Sequence, residues 1–152
     1  MGHNFGLWHS HSLDCGATTL GSSCNRSEYG DVFDTMGSSS VHYNAFQKER
    51  LGWLNYNQSS AIATVESGST TVTLTPYSAA DSGIKALKVL KGMDAATGEK
   101  NWYYVEFRQP LVDFQFGFDA VEHFQRRRFR CADQRDEFTM SVKHRPNCGC
   151  FC

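Results

Sequence analysis

The sequence has no excess of charge of either sign and no long apolar run. Its 15 Lys and Arg residues nearly balance 16 Asp and Glu residues, and the formal net charge is −1 at pH 7. This balance gives no indication of a nucleic-acid or membrane partner. No apolar stretch approaches the roughly 18 residues that a membrane-spanning helix needs, and the opening residues lack the basic start and apolar core of a signal peptide. We therefore expect a soluble protein of one domain or two small ones.

Two histidines near the start carry the strongest chemical signal in the sequence. His3 and His9 stand six positions apart with Gly6 midway, which is the spacing of the back half of the zinc-peptidase motif H-E-x-x-H-x-x-G-x-x-H. Residues 1–8 are predicted to be the end of a helix. Gly6 can leave helical geometry at little steric cost, often at positive φ, so that the chain turns and His9 reaches a metal held by His3. Neutral imidazole nitrogens suit Zn²⁺; the alternative is two unconnected loop histidines.

The front half of this motif, a histidine followed by a glutamate, is not in the sequence. We expect it immediately upstream of Met1, which would then be an internal residue. The glutamate would act as the general base that takes a proton from the metal-bound water. Because two imidazoles without this base form an incomplete site, the chain as given is expected to be inactive.

Three segments resemble metzincin zinc metallopeptidases of the gametolysin-like family. Residues 2–11 resemble the end of the family's zinc-binding motif, and residues 29–37, here called the Met-turn segment, resemble its Met-turn. Residues 44–54 resemble the helix that closes the catalytic domain. The resemblance implies a secreted endopeptidase, with its signal sequence upstream, that hydrolyses a protein or peptide substrate by means of Zn²⁺-activated water.

The same resemblance assigns roles to individual residues. His3 and His9 are implied to be metal ligands, Gly6 the hinge between them, and Met36 an apolar floor beneath the metal. For Met36 the alternative is a core methionine in a tight turn, which this side chain fills equally well. His11 could replace His9 as a ligand, but its spacing from Gly6 does not fit the family, so we interpret His11 as a polar loop residue.

Six cysteines are many for a cytosolic protein of this size: Cys15, Cys24, Cys131, Cys148, Cys150 and Cys152. Cys15 and Cys24 bracket a short loop and are the disulfide candidates, which indicates an oxidising compartment. Two free thiols are the alternative for this pair. The last three cysteines alternate with single residues, a poor metal motif because paired cysteine ligands are usually separated by two or more residues.

Between the histidines and the β-rich part, the sequence predicts a loop and then one helix. Residues 10–40 are rich in Ser, Gly, Thr and Asp and are predicted to be loop, with Asp14 as one of its polar residues. Ser40 is a suitable N-cap for a helix over residues 41–51, and Gly52 is a natural stop. Four apolar side chains of this region are expected to pack against the metal-binding part: Phe46, Leu51, Trp53 and Leu54.

The apolar period then changes from helical to alternating, which is typical of strands. Four strands are predicted, over residues 61–65, 71–75, 84–90 and 102–108, with a loop over residues 92–101. They favour a small antiparallel sheet or sandwich. No function can be read from these strands, and their aromatic residues are interpreted as packing residues.

After residue 110 the pattern is lost. Residues 111–152 are predicted to be an irregular tail, either disordered or the product of a shifted reading frame near residues 111–119. The tail contains the one basic cluster of the sequence, Arg126, Arg127, Arg128 and Arg130. A solvated face is favoured over a phosphate-binding site for this cluster.

The predicted fold class is therefore α+β. Residues 1–56 would be the C-terminal part of a metzincin catalytic domain: the end of the active-site helix, a loop-rich lower subdomain and the closing helix. Residues 57–110 would be a β-rich domain, and residues 111–152 the tail. The rival function is a non-catalytic β-rich binding module that carries a protease remnant, and a third interpretation is a mis-called gene product with no function of its own.

Overall fold

A computed structural model describes residues 2–18, 23–38, 40–54, 61–77, 79–108 and 138–144. It confirms the α+β class, with one short α-helix, one 3₁₀ helix and several small sheets in these ranges. None of the helices in the described ranges is long and apolar enough to cross a membrane. The elements in chain order are a 3₁₀ helix (Gly2–Phe5), β1 (Ser12–Asp14), β2 (Asn25–Ser27), α1 (Ala45–Arg50), β3 (Ile62–Val65), β4 (Gly68–Leu74), β5 (Ala86–Met93), β6 (Lys100–Glu106) and β7 (Phe138–His144).

The first helix is shorter than the sequence predicted and ends at Phe5 instead of continuing to residue 8. Gly6 follows at φ 74°, a left-handed conformation that glycine adopts without a steric penalty. The Gly6 amide donates to the His3 carbonyl at 2.9 Å, and the Leu7 amide donates to the Gly2 carbonyl at 3.2 Å. These two bonds form a Schellman C-cap, so Gly6 turns the chain out of the helix directly after His3.

The predicted loop over residues 10–40 contains a short hairpin that the sequence analysis missed. β1 pairs with β2 in antiparallel fashion, with Leu13 opposite Arg26. Cys15 and Cys24 flank these strands and form a disulfide bond, which confirms the predicted pairing. Each strand has only three residues, too few to show an alternating pattern in the sequence.

The helix α1 begins later than predicted. Its N-cap is Asn44 and not Ser40, because the Asn44 side chain accepts a hydrogen bond from the Gln47 amide at 2.9 Å. Gly52 at φ 74° ends the helix as predicted. The expected packing of Phe46 and Trp53 is wrong, since these side chains are 41% and 58% exposed. The buried residues of α1 are instead Ala45 and Gln47.

The β-rich part is mixed and not purely antiparallel. One sheet has the order β3-β5-β6, in which β5 and β6 are antiparallel but β3 and β5 are parallel, with Ile62 opposite Ala86. β4 follows β3 after a short turn but belongs to a different sheet, and β5 lies beside β3 in the same direction as β3.

β4 pairs with β7, a strand inside the segment that was predicted to be irregular. Gly68 lies opposite His144, and Leu74 lies opposite Phe138, in an antiparallel register. The prediction of an irregular tail is therefore wrong for residues 138–144, whose sequence does alternate apolar and polar residues. The arginine cluster and the last three cysteines lie outside the described residues.

Successive residues of β5 point to opposite faces of the sheet β3-β5-β6, and buried side chains pack on both faces. Leu87 and Val89 pack on one face with Val65 and Leu74. On the other face Ala86 packs with three further buried residues from α1, β3 and the loop after β4, namely Ala45, Ile62 and Tyr77. The sheet thus supports α1, and α1 in turn contacts the segment that carries the histidines.

Candidate metal centre

The structure brings the two histidines of the sequence motif together. The Nε2 atoms of His3 and His9 are 3.1 Å apart. The ring centroids are separated by 4.9 Å, and the ring planes make an angle of 64°. His3 is exposed and His9 is half-buried, so the pair can be reached from solvent.

The partners of the other ring nitrogens determine which nitrogen carries the proton. His3 Nδ1 lies 2.8 Å from the Leu7 carbonyl oxygen. His9 Nδ1 lies 2.7 Å from Glu28 Oε1. Since both partners only accept hydrogen bonds, each Nδ1 is assigned as the donor, and Nε2 of each neutral ring keeps a lone pair. The lone pairs of the two Nε2 atoms thus face each other. Both could bind a single cation placed between them.

The separation of the two nitrogens fits a shared metal ion. Two ligands at 2.0–2.1 Å from zinc, at a tetrahedral angle, are about 3.3 Å apart, close to the 3.1 Å between the Nε2 atoms. Neutral imidazole nitrogens are also the donor type that zinc prefers. Within the described ranges no group of three or more His, Cys, Asp or Glu residues is placed to hold a metal ion.

Glu28 orients His9 and was not singled out by sequence reasoning. Its carboxylate accepts the His9 Nδ1 proton, and this hydrogen bond is the main reason that the pKa of Glu28 lies below its usual value. A carboxylate on the outer nitrogen fixes the tautomer of a ligating histidine and raises its basicity. The signal for Glu28 was absent from the sequence because it lies 19 positions from His9 and shares no motif with it.

Met36 lies against the helix that carries His3. It is 7% exposed, and its Sδ atom lies 2.2 Å from the position that a Cβ atom on Gly2 would occupy. The Met36 carbonyl also accepts a hydrogen bond from the Ser10 amide at 2.8 Å, one residue after His9. Gly2 therefore leaves the room in which the methionine side chain packs against the helix that carries His3.

A buried aspartate holds the Met-turn segment in place. Asp34 is fully buried, and its two carboxylate oxygens accept the backbone amides of Met36 and Asn44. The Met-turn segment is thus tied to the N-cap of α1. Sequence reasoning gave Asp34 no role of its own, although it belongs to the Met-turn segment.

The helix α1 also holds the segment that carries His9. The buried Gln47 side chain donates from Nε2 to the Trp8 carbonyl at 2.9 Å, and Arg50 donates to the Gly6 carbonyl at 3.1 Å. These bonds fix the backbone from the turn at Gly6 to the residue before His9. The three-residue spacing of Gln47 and Arg50 indicates that both lie on one face of a helix. The sequence does not indicate which segment that face contacts.

Strand β6 connects the β-rich part to the same region. Glu106 Oε2 accepts the Ala45 amide at 2.8 Å, and Glu106 Oε1 accepts from Arg108 Nε at 2.6 Å. Arg108 also donates to the carbonyl of Phe33 in the Met-turn segment. Burial raises the pKa of Glu106 above its usual value, and the neighbouring Arg108 opposes this shift. These contacts cross the predicted boundary at residues 56 and 57, and the division into domains stays a prediction.

The other polar candidates of the loop have local partners. His11 contacts the Arg26 side chain through its Nε2 atom. Asp14 accepts the Gly16 amide at 2.9 Å. These contacts agree with the interpretation of both as polar residues, but Asp14 is the last residue of β1 and not a loop residue.

One known family matches most of the sequence. The family model described as gametolysin peptidase M11 matches residues 1–114 of the 152-residue chain. No curated protein and no solved structure matches the chain. The family match includes the histidine pair, the Met-turn segment and strands β3 to β6, and it ends inside the stretch 111–119, where a shifted reading frame was predicted. That shift stays a prediction.

Proposed function

Because the chain belongs to the gametolysin peptidase M11 family, we propose that it is part of a secreted, zinc-dependent endopeptidase of the metzincin type. In this proposal His3 and His9 are two of the zinc ligands, and Met36 is the apolar floor of the site. The substrate is a protein or peptide. The Cys15–Cys24 disulfide supports secretion, because such bonds persist in oxidising compartments.

The observation that carries the proposal is the pair of facing lone pairs on His3 and His9. Once each ring has its proton on Nδ1, no hydrogen bond can form between the two Nε2 atoms themselves. A cation between them satisfies both, and the separation of 3.1 Å leaves room for ligand bonds of the length that zinc forms.

The residues of this chain bind and orient, and none of them is proposed to transfer a proton. The Leu7 carbonyl and the Glu28 carboxylate hold the two imidazoles with Nε2 turned inward. Gln47 and Arg50 fix the backbone that carries His9. When bound, zinc supplies Lewis-acid polarisation of the scissile carbonyl and lowers the pKa of a water molecule.

The chain by itself is proposed to be inactive. Its sequence holds no glutamate beside His3 that could serve as the general base, and its described residues provide two imidazole ligands where a catalytic zinc site uses three protein ligands. The missing histidine and glutamate are proposed to come from residues upstream in the parent protein.

Casein hydrolysis tests this proposal. The 152-residue chain is compared with the same chain extended by its native upstream residues, each with and without a zinc chelator. We expect no hydrolysis by the chain alone. We expect hydrolysis by the extended chain that the chelator stops and added zinc restores, and that His9→Ala lowers by at least about 100-fold, since each lost ligand weakens the site.

Two outcomes would contradict the proposal. An extended chain that contains His-Glu in frame and folds but cleaves nothing would contradict the peptidase function and favour a binding module. Chelator-sensitive hydrolysis by the 152-residue chain alone would contradict its inactivity. Asp14→Ala serves as the control substitution, because Asp14 is an exposed residue at the end of β1, outside the site.

A further inference from the structure

Tyr29 reaches the same nitrogen atom that faces His3. Its hydroxyl lies 2.7 Å from His9 Nε2, and its ring lies over the His9 ring with a centroid distance of 3.8 Å and a tilt of 34°. Since His9 Nε2 carries the lone pair, the Tyr29 hydroxyl donates a hydrogen bond to it. The phenol oxygen therefore lies beside the point on which His3 and His9 converge.

The backbone at Tyr29 adopts a conformation that large side chains rarely take. Its φ is 58°, and within the described residues Tyr29 is the one non-glycine residue with positive φ. In extended backbone, neighbouring side chains point in opposite directions. The left-handed turn at Tyr29 instead allows Glu28 and Tyr29 to reach the same imidazole, Glu28 at Nδ1 and Tyr29 at Nε2.

Core packing does not account for this conformation. Tyr29 is 48% exposed, and its ring belongs to neither of the two hydrophobic clusters found in the described part of the chain. Its contacts are the ring and the nitrogen of His9. A strained backbone that places a polar group at a ligand site is a recurring feature of functional sites.

We propose that Tyr29 supplies an oxygen ligand to the metal that His3 and His9 share, an inference that rests on the proposed function. Without metal, the hydroxyl holds the His9 lone pair by hydrogen bonding. With metal, that lone pair binds the ion, and the phenol oxygen turns one of its own lone pairs to the same ion. No covalent bond breaks in this exchange, because the phenol keeps its proton.

The geometry requires only a small movement. The oxygen and nitrogen, now 2.7 Å apart, must separate to the roughly 3.3 Å that two tetrahedral zinc ligands keep. Rotation of an exposed tyrosine side chain covers this difference, and Glu28 continues to hold His9 from the other nitrogen. Zinc accepts oxygen ligands at about 2.0–2.2 Å, so an oxygen donor is compatible with the two imidazoles.

Zinc affinity of the full 152-residue chain tests the inference. Tyr29→Phe removes the oxygen and keeps the ring, and zinc binding is measured by competition with a chromophoric chelator. We expect the dissociation constant to rise at least as much as for loss of an outer-shell partner, about 10–100-fold. The visible absorption spectrum of the Co²⁺-loaded chain should also change. Tyr103→Phe, which removes a hydroxyl from β6, should leave both measurements unchanged.

A second measurement separates ligation from a structural role. The Co²⁺ spectrum reports the ligands of the bound ion, so loss of an oxygen ligand should change it even where the metal-free parent and Tyr29→Phe chains unfold at the same urea concentration. Zinc binding within twofold of the parent chain for Tyr29→Phe, or a Co²⁺ spectrum identical to that of the parent, would overturn the role of Tyr29. His3→Ala must abolish binding in the same assay. If His3→Ala binds as the parent does, the proposed metal site itself is wrong.

Discussion

Gly37→Ala is expected to destabilise the chain by about 3 kcal/mol, at the upper end of overpacking costs. A Cβ atom on Gly37 would lie 2.0 Å from the Asp31 carbonyl oxygen and 2.9 Å from its carbon. Both are backbone atoms, so no side-chain rotation can relieve the contact. The same carbonyl accepts the Ser38 amide at 3.0 Å, and the Asp31 amide donates to Ser10 at 3.3 Å. Movement of Asp31 therefore disturbs the chain beside His9.

Urea unfolding monitored by tryptophan fluorescence measures this effect, with Gly92→Ala as the matched control. Gly92 lies in β5, and a Cβ atom there would meet nothing within 4 Å. We expect the control to change the free energy of unfolding by less than about 0.5 kcal/mol. Equal effects of the two substitutions would contradict the close approach at Gly37.

Asp34→Ala is the second substitution with a large expected effect, about 3 kcal/mol. Asp34 is fully buried and accepts the amides of Met36 and Asn44. Its removal leaves the buried N–H group of Met36 and the half-buried N–H group of Asn44 without this partner, and a buried group without a partner costs about 1–3 kcal/mol of desolvation. Removing the buried charge offsets part of this cost. Asp34→Asn keeps one acceptor oxygen, so its free energy of unfolding should lie between that of the parent chain and that of Asp34→Ala.

The matched control for Asp34 is Asp14→Ala. Asp14 is exposed and accepts a single amide, that of Gly16 at 2.9 Å, so its loss should change the free energy of unfolding by less than about 0.5 kcal/mol. Both variants are compared by urea unfolding. A stability of Asp34→Ala within the range of the control would show that the Met-turn segment does not depend on its buried carboxylate.

The features that the sequence predicted well depend on local backbone rules. Gly6 and Gly52 both end helices at positive φ, and in each case the required residue stands one position after the last helical turn. The Cys15–Cys24 disulfide joins residues that are close in the sequence. The same turn at Gly6 brings His9 back towards His3. The convergence of their rings could therefore be expected from residues 3–9 alone.

The features that were missed depend on distant partners. Ser40 and Asn44 are both good N-caps by composition, and the choice falls on Asn44 because Asp34 binds its amide and Glu106 accepts the next one. The parallel pairing of β3 with β5 depends on β4 leaving the sheet to pair with β7. No local pattern encodes either choice.

The candidate metal site shows the same difference between local and distant determinants. A motif specifies His3 and His9, but the groups that orient them come from elsewhere in the chain. Glu28 and Tyr29 reach His9 from a turn that the sequence analysis treated as loop. Gln47 reaches the Trp8 carbonyl from α1 across 39 positions of sequence. Hydrogen bonds at such separation are set by the packed fold and carry no spacing rule.

Zinc-edge X-ray absorption of the chain loaded with one equivalent of zinc tests the central claim most directly. The account predicts imidazole scattering from two histidines at about 2.0–2.1 Å, with one imidazole lost in His3→Ala and one lost in His9→Ala. Zinc that shows no imidazole ligand, or a spectrum that is unchanged by either substitution, would contradict the account.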